Sequence, residues 1–208
     1  MTPTANDYAW LAHSQWFGRC DQDGYSLTLV RGRTPQQVLE AIGAVPQGFG
    51  DGFDDLLDCH EELREWVDDY QDDSFAAAAV TVPGEGGDWT LLLALDSGVG
   101  ISGHLPALSA GGVTVTHDSN AGKPMQRFTH YRDGEVLTSF EEPERSHGSA
   151  PGALGPLLRE VGYDGSGKQA AFFALAERLT GVRITDETVR DAEFLLGVVA
   201  DEDEEGTD

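Results

Sequence analysis

Three features of the sequence predict an α+β fold, an antiparallel or mixed sheet of five to six strands covered by helices, with a helical C-terminal third. An amphipathic helical stripe occupies residues 53–70, short apolar runs separated by glycine-rich turns fill residues 75–140, and capped helical segments follow. Residues 1–200 are expected to form a single domain, because 208 residues with 39% hydrophobic content suffice for one packed core. Residues 201–208 read as a disordered acidic tail.

Asp7 to Ala12 reads as a short helix anchored by Trp10 and Leu11. From Tyr25 to Val30 the residues alternate, Tyr25, Leu27 and Leu29 against Ser26 and Thr28, as in a half-buried strand. Thr34-Pro35-Gln36-Gln37 is a helix start. Thr34 caps, Pro35 sits where a missing N–H costs nothing, Gln37 completes the capping box, and Gly43 ends the helix. Phe53, Leu56, Leu57, His60, Leu63, Val67 and Tyr70 then recur at steps of three and four, one apolar stripe of a helix. Opposite the stripe stand Asp58, Glu62, Glu65 and Asp69, whose mutual repulsion costs a few tenths of a kcal/mol per pair, roughly, and must be outweighed by packing.

Phe75 to Val82 and Trp89 to Leu95 flank the turn residues 83–88 and predict a hairpin, the second strand central because both its faces are apolar. Val113 to Thr116 is a further short strand. Gln126 to Arg132 and Glu135 to Phe140 are joined by Asp133-Gly134, the strongest short-range hairpin signal of the chain. Three helices follow: Ala153 to Val161 stopping at Gly162, Lys168 to Thr180 stopping at Gly181, and a short one capped by Thr185.

The net charge of −24 excludes more than any motif includes. It argues against binding the phosphate backbone of nucleic acid, which needs clustered Lys and Arg, and against docking on anionic membranes. Residues 51–73 carry eleven acids and one base, and the tail from Asp201 six acids and no base. These contributions of −10 and −6 make 16 of the 24 net negative charges. No apolar run approaches the roughly 20 residues of a membrane helix, and Met1 to Asn6 lack the basic-then-apolar pattern of a signal peptide. A cytoplasmic protein is expected, with Cys20 and Cys59 both reduced.

Gly98-Val99-Gly100-Ile101-Ser102-Gly103 matches the dinucleotide-binding glycine pattern, and Asp118 stands 20 positions beyond Gly98, where a ribose-binding acid belongs. Pro106 and Gly111-Gly112 leave room for one or two helical turns only, so the segment reads as a loop. His60 falls on the apolar stripe and reads as a packed core histidine. No second ligand cluster accompanies it, so neither a metal nor a cofactor is expected. His104, His117 and His130 lie near Asp96, Asp118 and Ser139 along the chain, with no nucleophile elbow, phosphate loop or zinc-protease helix to single out a catalytic residue.

The acidic face around Asp58, Glu62, Glu65 and Asp69 admits several readings: a solvated helix face, a docking surface for a basic protein, mimicry of a nucleic-acid backbone, or, with no calcium-loop pattern, a calcium site. The first functional expectation is a protein-binding module of the immunity or inhibitor type that engages a basic protein partner through this helix. The alternative is an enzyme or small-ligand binder with its site near Gly98–His104 and the Arg127–Arg132 strand.

Several stretches resemble an uncharacterised actinobacterial (Streptomyces-type) family of unknown function. They are Tyr8-Ala9-Trp10-Leu11, the step from Val30 to Pro35, the hairpin from Phe128 to Val136, Thr138-Ser139-Phe140-Glu141, and the segment from Ala174 to Val182. The resemblance spans about Tyr8 to Leu196 and implies a source but no chemistry. Leu95-Asp96-Ser97-Gly98 departs from it where similar proteins have Glu-Pro-Asn-Gly, which weakens the case for a required carboxylate at Asp96. Eleven arginines against two lysines (Lys123, Lys168) agree with a GC-rich genome.

Overall fold

In the computed structural model, which describes residues 2–66, 74–95, 100–120, 125–165 and 167–200, strand β1 (Tyr25–Arg31) runs antiparallel to both its neighbours, β4 (Gly87–Leu95) and β5 (Val113–Asn120). With β2 (Val45–Asp51), β3 (Phe75–Gly84), β6 (Met125–Arg132), β7 (Glu135–Phe140) and β8 (Glu193–Val199), the described residues form one sheet. Its order is β2-β8-β3-β4-β1-β5-β6-β7, antiparallel throughout.

The α+β class agrees with the sequence, but the sheet has eight strands rather than five or six, and the C-terminal third is not wholly helical. The two additional strands lie side by side. In β8, Phe194-Leu195-Leu196-Gly197-Val198-Val199 is apolar without alternation because β2 and β3 flank it and both its faces are covered. Strand β2 carries Pro46 and a bulge between Pro46 and Gly48, features that read as a turn in sequence and are tolerated at a sheet edge.

Helices cover both faces. On one lie a 3-10 helix (Ala5–His13), α1 (Gln15–Asp23), α3 (Gly52–Trp66), α5 (Gly155–Glu160), α6 (Lys168–Thr180) and α7 (Asp186–Arg190). Their apolar sides meet Leu27, Leu29, Leu91, Leu93, Phe128 and Phe140 of the sheet. Helix α6 inserts Phe172 and Phe173 into this layer, where edge-on and tilted rings surround them. On the other face α2 (Pro35–Ala41) and α4 (Gly100–Leu108) pack Val38, Leu39 and Leu105 against Val30, Ala77, Ala79 and Leu92.

Local chemistry sets several of these boundaries as the sequence predicts. The Thr34 hydroxyl accepts the Gln37 amide at 3.3 Å, and the Gln37 side chain accepts the Thr34 amide at 3.0 Å. Asp133 (φ 51°) and Gly134 (φ 84°) make the two left-handed residues that a tight β6–β7 hairpin requires. Two expectations need correction. Ser26 and Thr28 are buried rather than solvent-facing, because β1 is internal to a sheet covered on both sides. Residues 100–108 form a nine-residue helix rather than a loop, with Pro106 inside it. The acidic tail from Asp201 and the helix stripe beyond Trp66 lie outside the described residues.

Candidate functional site

Helix α3 begins where Gly52, at φ +73°, donates its amide to Ala192 O at 2.7 Å and the Asp55 carboxylate accepts the Asp51 amide at 2.7 Å. From this fixed start Phe53, Leu56 and His60 turn inward against β3 and β8 and are buried, as the stripe predicts. Asp54, Asp55, Asp58, Glu61, Glu62 and Glu65 are exposed. Glu61 is tied to Arg19 of α1 at 3.2 Å, and Arg19 in turn to Asp23 at 2.8 Å. Asp58, Glu62 and Glu65 make no hydrogen bond or ion pair among the described residues. Asp69 lies outside the described residues.

Trp66 is not among the residues that the acidic spacing of α3 marks. It follows Asp58 and Glu62 at steps of four, so the three share one row along α3, and its side chain is 87% exposed. Its position off the apolar stripe is the signal that could have identified it. Trp and acidic side chains thus share one exposed row on this helix.

A second polar constellation joins the two segments of the alternative reading. Asp118 on β5 and Arg127 on β6 are register partners. Arg127 donates through Nη2 to Asp118 Oδ2 at 2.8 Å and through Nε to Oδ1 at 3.4 Å. The same Nη2 donates to Ser102 Oγ of α4 at 2.7 Å. Burial pushes the Asp118 carboxyl up to about 6, with Arg127 pulling the other way. Behind this group lie buried hydroxyl pairs, Thr28 with Thr116 at 2.9 Å and Thr129 with Ser139 at 2.8 Å. Strand alternation alone marks these residues polar. Only the sheet order, with β1, β5 and β6 side by side, shows that they meet.

The histidines do not assemble with that group. His117 points to the opposite face from Asp118, against Tyr25, Phe172 and Phe173, where burial lowers its pKa to about 3. His130 shares the strand parity of Phe128, opposite to that of Arg127, while His104 rides on α4. Cys20 is buried and Cys59 half-buried. Both are free thiols, and burial raises the pKa of each. Among the described residues no group of three or more His, Cys, Asp or Glu is placed to hold a metal ion, and no helix is long and apolar enough to cross a membrane.

Neither the comparison with curated proteins nor that with solved structures returned a match. The model of a family of unknown function, DUF6461, matches residues 1–204, and the chain belongs to that family.

Proposed function

We propose that this protein is a binding module that captures a basic protein partner, in the manner of an immunity or inhibitor protein, through the exposed row of α3. The observation that carries the reading is the alignment of Asp58, Glu62 and Trp66, with Glu65 alongside, on a helix whose other side is locked into the core. Unpaired carboxylates speed encounter with a cationic surface and select against acidic partners, and an exposed indole supplies apolar contact area that a partner can bury. The net charge of −24 supports a protein rather than a nucleic acid or an anionic membrane as partner. An actinobacterial source fits the arginine-rich, lysine-poor composition.

Affinity capture from the lysate of the native host, at low and at moderate salt with identification by mass spectrometry, tests the reading. The chain should retain a basic protein that salt releases. Asp58→Lys, Glu62→Lys and Glu65→Lys together should abolish its capture, and Trp66→Ala alone should weaken it by roughly tenfold or more, as for an interface anchor. These residues are exposed, so circular dichroism should be unchanged. Capture that survives the triple reversal removes the proposal.

The second reading, a small-ligand or enzyme site, is favoured by the contact of Ser102 with the Arg127–Asp118 pair. This contact brings the two segments named for that alternative together on one face of the sheet.

A further inference from the structure

The two edges of the sheet differ in how they are closed. At β7 the segment 147–150 covers the edge with backbone hydrogen bonds. Ser139 and His147 exchange theirs at 2.9 Å, the Ser149 amide donates to Val136 O at 3.0 Å, and that of Ala150 to Leu137 O at 2.8 Å. At β2 no backbone group among the described residues bonds to the outer side. An open row of amides and carbonyls is a template for another strand, and folded proteins ordinarily blunt it.

Strand β2 is blunted at both ends and open in the middle. Pro46 has no amide to offer, and the Gln47 side chain donates to Val45 O at 3.1 Å. At the other end the Asp55 carboxylate accepts the Asp51 amide at 2.7 Å. The ladder sets the direction of the groups between. Gly52 donates its amide to Ala192 O, so by antiparallel alternation Gly50 and Gly48 turn their groups towards β8, and Phe49 and Asp51 turn theirs outward. The Asp51 amide agrees, since a side chain takes it and not β8. The amide and carbonyl of Phe49 are left at the open edge.

Two further observations say what covers this gap. Of the four large apolar side chains exposed among the described residues, two lie on β2, Val45 at 60% and Phe49 at 72%. Gly48 and Gly50 give Phe49 no side-chain neighbour along the strand. The charge beside it is of one sign. Asp51, its register partner Glu193, and Asp55 are exposed and make no ion pair among the described residues. Arg190, whose carbonyl abuts Gly52, is already held by Asp186 at 2.9 Å and by Asp191 at 2.8 Å. A second copy of the chain would bring the same acids and a net charge of −24 to the edge, and the tail from Asp201 is acidic too. A cationic strand is the occupant that this charge favours.

We propose that the outer edge of β2 binds an extended basic segment of a partner protein by strand addition. The backbone of the segment pairs with Phe49, one of its apolar side chains lies against the Phe49 ring, and its cations meet Asp51, Asp55 and Glu193. This edge is distinct from the acidic row of α3 and takes from that reading only the basic character of the partner. A synthetic peptide tests it, so either can fail while the other stands.

Strand addition reads backbone and charge, and the probe need not be the natural segment. The full chain labelled with ¹⁵N is titrated with a capped peptide of alternating valine and lysine, about seven residues long, within the span of an ordinary strand. The Phe49 amide should shift saturably and its hydrogen exchange slow by roughly tenfold or more in the bound state. The Gly52 amide, already donated to Ala192, should keep its rate. A fully N-methylated peptide keeps the charge and the side chains but has no amide, and should bind at least roughly tenfold more weakly, as should an alternating valine–glutamate peptide. Phe49→Ala, at an exposed position, should weaken the valine–lysine peptide by roughly tenfold, and Asp51→Asn with Glu193→Gln by roughly threefold. The proposal is overturned if the Phe49 amide stays in place at about 5 mM peptide, or if the N-methylated peptide binds as well, which reduces the contact to net charge. A free chain that sediments as a dimer with its Phe49 amide already protected overturns it too, because the occupant is then a second copy.

Discussion

His117 and Asp118 are neighbours on β5 that project to opposite faces of the sheet, and burial opposes the charged form of both. The consequences for stability have opposite signs. The unfolded chain protonates His117 near 6.5, whereas the folded chain, holding it among Tyr25, Phe172 and Phe173, does so only at about 3. Its contribution is therefore complete above about 6.5 and lost as pH falls towards 3. Asp118 releases its proton near 3.8 when unfolded and at about 6 when folded, with Arg127 facing it and Glu141 adding repulsion. Its contribution is complete below 3.8 and lost as pH rises through 6. Between about pH 4 and 6 the two slopes oppose each other, each bounded by roughly 1.4 kcal/mol per pH unit. Urea unfolding followed across this window should show His117→Gln flattening the loss on the acid side. Asp118→Asn should remove the loss on rising pH. Slopes matching those of the unsubstituted chain would show that neither burial is felt.

At the scale of elements the β2–α3 junction decides how the acidic row is presented. A Cβ on Gly52 would lie 2.0 Å from Arg190 O, and its φ of +73° is already unfavourable for any other residue. Gly52→Ala should therefore destabilise the protein by about 3 kcal/mol, combining overpacking with backbone strain, as read by the urea midpoint. A midpoint unchanged from the parent would mean that α7 yields at no cost. The elements legible in the sequence are those whose signals are local: the Thr34–Gln37 capping box, the Asp133-Gly134 turn, and α6 closed by Gly181 at φ +69°. Strands β2 and β8 were not legible because their identity is conferred by partners far along the chain. Buried on both faces, β8 has no alternation to read, and β2 is a strand only because β8 pairs with it. The candidate site divides in the same way. The acids of α3 announce themselves by spacing, whereas the meeting of Ser102, Asp118 and Arg127 follows from sheet order and the placement of α4 over it.

For the whole molecule, charge is the property that no single element contains. A chain of net −24 repels itself, and the described surface offers few cations in compensation: Arg19, Arg183 and Arg190 make exposed or half-exposed pairs of the kind worth about 0–1 kcal/mol each. Added salt screens the repulsion over distances that those pairs do not span. The thermal midpoint should therefore rise with sodium chloride at pH 7, whereas a fall would show that local pairs outweigh the overall field.

The place of β8 between β2 and β3 also governs the order in which the molecule can be made. Glu193 follows Asp51 by 142 residues, so β2 is synthesised long before the strand it pairs with exists. Until then β2 has no ladder to join, and the edge of β3 that β8 will occupy stands open. Closing that gap is a long-range step that no local hairpin can substitute for. A nascent chain of this protein thus carries that unfinished edge from the emergence of β3 until that of β8, and the last strand of the described sheet to appear is the one that completes it.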